Sequence, residues 1–256
     1  MGTETNSRYM RKSTPPFMQG DPSEGLFTPT VDQRYALGTC LYDSFGRRWR
    51  YAKNGATQLE VALMTQSEAI NANVANEVQT AYGLALGAES GQVLVTTSNG
   101  ISDGELQDGW LLITDGTGEG YCYPIQWNTW ITGDTVMRLD LFEPIRLAVA
   151  ATAEITLVKN KWRDVIVMPT TVTGIWTGVP NVIIPANYYG WLQTKGPCPM
   201  VVDAGDTLVV GAIAGNPATN GTAGGVGIPA ITTQVWGHTI YIGAAGESAL
   251  IDLNLE

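Results

Sequence analysis

Charge is what this sequence has least of. Only 15% of its 256 residues are Asp, Glu, Lys or Arg, where soluble domains average about a quarter. Cations are the scarcer kind: 14 Lys and Arg stand against 24 Asp and Glu, a formal net charge of −10. That balance opposes non-specific binding to nucleic acid or to an anionic membrane. Histidine occurs once, as His238, and cysteine three times, as Cys40, Cys122 and Cys198. No CxxC pair is present, so the chain offers no structural zinc set. Three widely spaced thiols cannot close a disulfide framework within one chain, and they read as buried free thiols. No apolar run reaches the roughly 18 to 20 residues that span a bilayer. The opening MGTETNSRYMRKSTPPFMQG lacks the apolar centre of a signal peptide, and Gly2 lacks the following Ser or Thr that myristoylation favours. These absences predict synthesis in a cytosol without secretion by that route.

Catalytic signatures are equally scarce. Gly116-Thr117-Gly118-Glu119-Gly120 has the glycines of a phosphate loop, but no GK[ST] and no helix-like pattern follow it, so a hairpin turn is expected. Ser102-Asp103-Gly104-Glu105, with Asp108 beyond, is acidic enough to suggest calcium but lacks the twelve-residue EF-hand spacing; a solvated turn is expected. His238 has no neighbouring nucleophile motif and reads as structural. Carboxylate pairs of glycosidase type are set by tertiary distance and leave no sequence signature. The residues therefore predict no catalytic group, no metal and no cofactor.

What the chain has in quantity is glycine (30), proline (13) and tryptophan (8), together with Val, Ile and Thr. Short strands joined by turns have this profile. About a dozen alternating or continuous apolar segments follow Tyr35, among them GWLLITDG, TVMRLDLF, YYGWLQTK, DTLVVGAI and TIYIGAA. Their spacing predicts an all-β sandwich or barrel. Residues 67–82 place Ile70, Val74 and Val78 four apart, which permits a short amphipathic helix. Gly211–Pro229 is too rich in small residues for a continuous strand and reads as a long loop. Residues 1–33, rich in Pro and Gly and without period, read as an extended N-terminal arm that orders on a partner. The remainder divides into a β domain over 34–160 and a C-terminal β domain, or second half of the same body, over 161–256.

Charge is uneven along the chain. Residues 1–53 hold eight cations and five anions, and the rest hold six and nineteen. The densest cationic stretch is GRRWRYAKNG, residues 46–55. Strand alternation there sends Trp49 and Tyr51 inward and Arg48 and Arg50 outward, with Lys53-Asn54-Gly55 as a turn. One cationic strand beside an acidic body is too little for a nucleic-acid surface, so a protein-facing edge is expected.

The ordered set RYAKNG (50–55), DGTGEGYCYPI (115–125), LFEPIRLAV (141–149), VKN (158–160), VIVMPTT (165–171) and YYGWLQTKGP (188–197) resembles a family of tailed-bacteriophage virion proteins, the capsid decoration or cement proteins. YYGWLQTKGP followed by VVDAGDTLVVG (201–211) is also similar to a module of phage capsid-stabilising β-proteins. The resemblance implies a non-enzymatic protein on the virion exterior, assembled in the host bacterial cytoplasm. Its implied partners are the major capsid protein and further copies of itself, as a homotrimer or alternatively a homodimer, with no nucleic acid or membrane. The capsid contacts then expected are Arg8, Arg11, Lys12, Phe17 and Phe27 on the arm, and Arg48, Arg50 and Lys53 on the cationic strand. A carbohydrate-binding module of a phage head or fibre protein is the alternative, signalled by exposed Trp127 and Trp130 in a shallow groove. A hydrolase with facing carboxylates comes third.

Overall fold

Apolar alternation punctuated by Gly, Asp and Pro yields strands throughout the computed structural model, which describes residues 17–19, 25–79, 82–95, 101–132, 135–217, 221–229 and 234–256. In chain order the first strands are β1 (Phe17–Gln19), β2 (Cys40–Tyr42), β3 (Arg48–Lys53) and β4 (Thr65–Gln66). Next come β5 (Glu77–Val78), β6 (Ser90–Leu94), β7 (Trp110–Asp115), β8 (Cys122–Thr132), β9 (Val136–Leu141) and β10 (Glu154–Val158). The last are β11 (Ile166–Val167), β12 (Trp176–Pro180), β13 (Tyr189–Val201), β14 (Ile213–Gly215), β15 (Val235–Tyr241) and β16 (Ser248–Asn254). The fold is all-β, as the composition predicts.

Two compact units share the chain: residues 1–68 together with 161–256, and Ala69–Asn160. The expected division at 160/161 marks one edge of the inner unit. Residues 34–68, however, belong with 161–256, because β3 pairs antiparallel with β13, Lys53 opposite Tyr189 through to Arg48 opposite Lys195. Long-range strand pairing decides unit membership, and sequence proximity does not reveal it.

The outer unit is built on β13. From Gly190 to Thr194 every residue is buried, and from Lys195 onward burial alternates, leaving Pro197 and Pro199 exposed. The strand therefore runs from a doubly covered interior into a sheet with one open face. It carries β3 and β12 on its first half and β16 on its second, and β16 leads on to β15 and β14. One core gathers Trp49, Tyr51, Leu59, Val165 and Leu192; another gathers Met64, Cys198, Met200, Trp236 and Ile251. Tyr51 is ringed by Tyr35, Tyr189 and Trp191 at centroid distances of 5.2, 5.9 and 5.1 Å.

The inner unit is a six-stranded antiparallel sheet in the order β5-β10-β7-β8-β9-β6. Its core includes Val93, Leu111, Tyr123, Met137, Leu139 and Ile155. The two end strands are joined by a side chain. Gln79, directly after β5 and 2% exposed, donates from Nε2 to the carbonyl of Leu94 (2.8 Å) and accepts at Oε1 from the Leu94 N–H (2.7 Å). Its own N–H continues the β5–β10 ladder to Ala153 O at 2.9 Å. The amide thus stands in for a strand residue and ties the two end strands of the curled sheet together at this point.

Several local expectations change. The helix over 67–82 is reduced to one 3₁₀ turn, Ala72–Val74, capped by the Asn71 side chain; the apolar spacing is outweighed by three asparagines and the β5 pairing that follows. The arm does not extend to residue 33. Leu26 is 2% exposed and belongs to the Trp49 core, and Thr30 exchanges both backbone hydrogen bonds with Tyr189. Phe17–Gln19 is a parallel edge strand on β2. Lys53-Asn54-Gly55 is no turn: Asn54 is buried, bridges Val165, and donates from Nδ2 to the carbonyls of Ile184 and Pro185. The Gly-rich segment 211–229 contains β14, which pairs with β15; it folds on itself through Gly215–Gly227 and is laced to the body through Val202–Val226.

Candidate functional site

The cationic stretch forms the second half of a hairpin, β2 against β3, whose tip is fixed by one carboxylate. Asp43 is 9% exposed. Its Oδ1 accepts from the N–H groups of Phe45 and Arg47, both at 3.0 Å, and its Oδ2 accepts from Arg47 Nε at 2.8 Å. Gly46 takes the positive φ that the turn needs (82°). The Arg47 guanidinium lies over the Trp49 ring at 4.9 Å and over the Phe45 ring at 5.9 Å. Trp49 is fully buried and donates from Nε1 to Asn181 Oδ1 at 2.8 Å. The tip is therefore held from several directions, yet Phe45 stands 79% exposed on it. A rigid turn presenting a ring to solvent is ordered before binding, which lowers the entropy lost on docking.

The expected contact cations fare differently from one another. Arg48 is exposed at the edge of the hairpin. Arg50 is turned inward: its guanidinium grips the Glu256 carboxylate with two hydrogen bonds, the Nε–Oε1 bond at 2.7 Å, and donates to Gly38 O at 2.8 Å. Lys53 pairs with Asp164 at 3.0 Å. Arg50 and Lys53 thus join parts of the outer unit and are committed within it. Phe27 is 50% exposed. Arg8, Arg11 and Lys12 lie outside the described residues, as does the Phe17 side chain.

Burial pushes the Glu256 carboxyl up, but the hydrogen bonds from Arg50 and the charges of Arg50, Lys161 and Arg48 outweigh it and hold the group below its ordinary value. A depressed carboxyl stabilises the fold at pH above its unfolded value, and the gain disappears as pH falls through the folded value. Glu256→Gln is therefore expected to lower stability at neutral pH by up to about 1 kcal/mol, because the pair is partly solvated. The difference from wild type should close on acidification, read by urea titration at stepped pH. A gap that persists in strong acid would show that packing, not charge, carries the effect.

The two tryptophans expected to line a groove are both half-buried and point their donors inward. Trp127 Nε1 donates to Thr129 Oγ1 and Trp130 Nε1 to Ile101 O, each at 3.0 Å. The acidic cluster is the loop they pack on. Asp103 Oδ1 accepts from Trp130 N at 2.9 Å, and Glu105 accepts from Ser102 N and pairs with Lys159. Asp108, with φ of 62°, returns the chain toward β7. These carboxylates organise a turn. The five-residue glycine run, 116–120, is the β7–β8 hairpin connection, as its flanking strands predict.

His238 is exposed on β15, opposite Asp252 of β16. Cys40 and Cys198 are buried, and Cys122 is half-buried at the start of β8. Burial raises all three thiols, Cys198 to about 12, so none is activated as a nucleophile. A small cleft of about 10 Å³ is lined by Thr28, Thr30, Arg34, Tyr35, Tyr51 and Trp191. The Tyr51 hydroxyl inside it already accepts from Arg34 N at 3.1 Å, and the space is below the usual size of a small-molecule site.

Phe45 was not among the contact residues expected from sequence. Its signal is an aromatic residue in the middle of Ser44-Phe45-Gly46, where a turn normally places polar residues. No family model, curated protein or solved structure matches the chain.

Proposed function

We propose that the chain is a non-enzymatic virion structural protein that decorates the outer surface of an icosahedral phage capsid and stabilises it by binding the major capsid protein. The carrying observation is the preformed Asp43–Arg47 tip of an all-β fold, which holds Phe45 exposed under the Arg47 guanidinium and three residues before the exposed Arg48. An apolar anchor with an adjacent cation, on a turn that needs no ordering, has the makings of a protein-docking hot spot. The ordered motifs from RYAKNG to YYGWLQTKGP supply the class of partner. The arm keeps its part in this reading with a shorter length: residues 1–16 precede β1, the first strand paired with the body.

Co-sedimentation with capsids that lack the protein tests the proposal. The full chain should saturate the shells and raise their thermal stability. Phe45→Ala and Arg48→Ala should weaken attachment by about thirtyfold each, the cost of losing about 2 kcal/mol at a hot-spot residue, and the Arg48 effect should grow at low salt. Deletion of residues 1–16, which precede β1, should leave the melting temperature of the body nearly unchanged while reducing attachment. Full-strength decoration by Phe45→Ala would remove the hairpin from the interface. Failure of the wild-type chain to bind any shell would remove the proposal.

A further inference from the structure

We infer that the open face of β13, β16, β15 and β14 is where a second copy of this chain docks, about a two-fold axis running between β15 and β16 along the strands. Register defines the face. Across it, Pro197 lies beside Asp252, Asp252 beside His238, and His238 beside Ile213. The next row runs from Pro199 to Leu250 to Tyr241, with Ile240 in the bulge between Thr239 and Tyr241. Ile213, Ile240 and Tyr241 are 45%, 44% and 64% exposed, whereas the alternate residues Trp236, Thr239 and Ile251 are buried beneath them. An apolar sheet face of this kind needs a cover.

Charge identifies the cover. These two rows carry one ionisable group of each kind, His238 and Asp252, in a chain of net charge −10. Like-charged copies meet with least repulsion over such a neutral patch. The pair is also self-complementary. With the axis between β15 and β16, each position on one side faces the mirrored position of the partner copy. His238 then opposes Asp252 and Asp252 opposes His238, so one imidazole–carboxylate contact forms twice. Ile213 opposes Pro197, and Tyr241 opposes Leu250, apolar against apolar. An isologous contact requires this self-matching, and an unrelated partner would not. The resemblance implies a homotrimer or alternatively a homodimer; the face specifies the two-fold assembly, and the inference stands whether or not a capsid is bound.

Sedimentation velocity on the full chain over a concentration series tests it. Wild type should reach twice the monomer mass. His238→Asp sets two carboxylates face to face, and Asp252→Lys sets an ammonium against an imidazole; each should raise the dimer dissociation constant at least about tenfold. The double variant, His238→Asp with Asp252→Lys, should restore dimerisation to within about threefold of wild type. Ile213→Lys should abolish it. All three positions are on the surface, so circular dichroism and melting should match wild type. A wild-type monomer at about 100 μM, a three-fold mass insensitive to the variants, or a double variant no better than the singles would each overturn the inference.

Discussion

Gln79→Ala is expected to undo the closure between the two end strands of the six-stranded sheet, lowering the stability of that unit by about 2–4 kcal/mol. The estimate is two hydrogen bonds to one peptide group, each costing about 1–3 kcal/mol when a buried partner is left unsatisfied, with some return of water at the seam. Gln79 is the residue whose amide bonds both the N–H and the carbonyl of Leu94, and no backbone pairing replaces it between β5 and β6. Gln79→Glu should be worse than Gln79→Ala at neutral pH. It keeps the acceptor but sets a buried carboxylate against the Leu94 carbonyl, with no donor to offer. Gln79→Asn is one methylene short and should fall between wild type and Ala. Hydrogen exchange gives the site-resolved check: amides of β5 and β6 should lose protection first, while those of β13 and β16 stay protected. Unchanged exchange in β6 would mean that core packing alone holds the two end strands together.

That closure was not legible in the sequence, and the reason is physical. Sequence patterns report which face of a strand is wet, and so GRRWRYA announced Trp49 and Tyr51 as core residues and Arg48 as surface. They do not report which distant strand lies alongside. The pairing of β3 with β13 joins residues separated by more than half the chain, and it moved residues 34–68 out of the domain that their neighbours suggested. Single polar side chains with structural duties are hidden for the same reason. Gln79, Asn54 and Asp43 look like loop residues in the chain, yet each satisfies backbone groups supplied from elsewhere in the fold or its own turn. DTLVVGAI shows the opposite error. Its apolar run reads as a strand, but Val209 and Val210 are 56% and 60% exposed and regular pairing begins only at Ile213. Of the expected contact cations, Arg50 could not be told from Arg48 by alternation. Both point off the same face, and only the approach of Glu256 separates their roles.

Asp203→Ala is the second change with a large expected effect, because one carboxylate organises most of the glycine-rich segment. Asp203 is fully buried. Its Oδ1 accepts from Gly205 N at 3.0 Å, and its Oδ2 accepts from Gly221 N at 2.9 Å and Thr222 N at 2.6 Å. Its backbone N–H bonds Val226 O at 2.8 Å, and nearby Asp206 accepts from Ile228 N at 2.9 Å. Small residues follow from this arrangement: a Cβ on Gly227 would fall 1.7 Å from the Asp206 carboxylate. Hydrogen bonds to a charged acceptor contribute about 1.5–3 kcal/mol each, and removing the carboxylate also recovers its burial cost, so a net loss of about 3 kcal/mol is expected. Asp203→Asn keeps the shape but turns one acceptor into a donor aimed at N–H groups, and it should recover less than half of that loss. The segment reaches the Trp236 core through Val226 and Ala214, so the loss should appear in the melting of the outer unit and not only as local fraying. Limited proteolysis supplies the spatial control. Cleavage should become fast within 211–229 in the Ala variant under conditions where wild type is resistant there. If the Ala variant melts lower but resists the protease, the carboxylate stabilises the core without holding the segment. If it does neither, the N–H groups have found other acceptors and Asp203 is not the organiser.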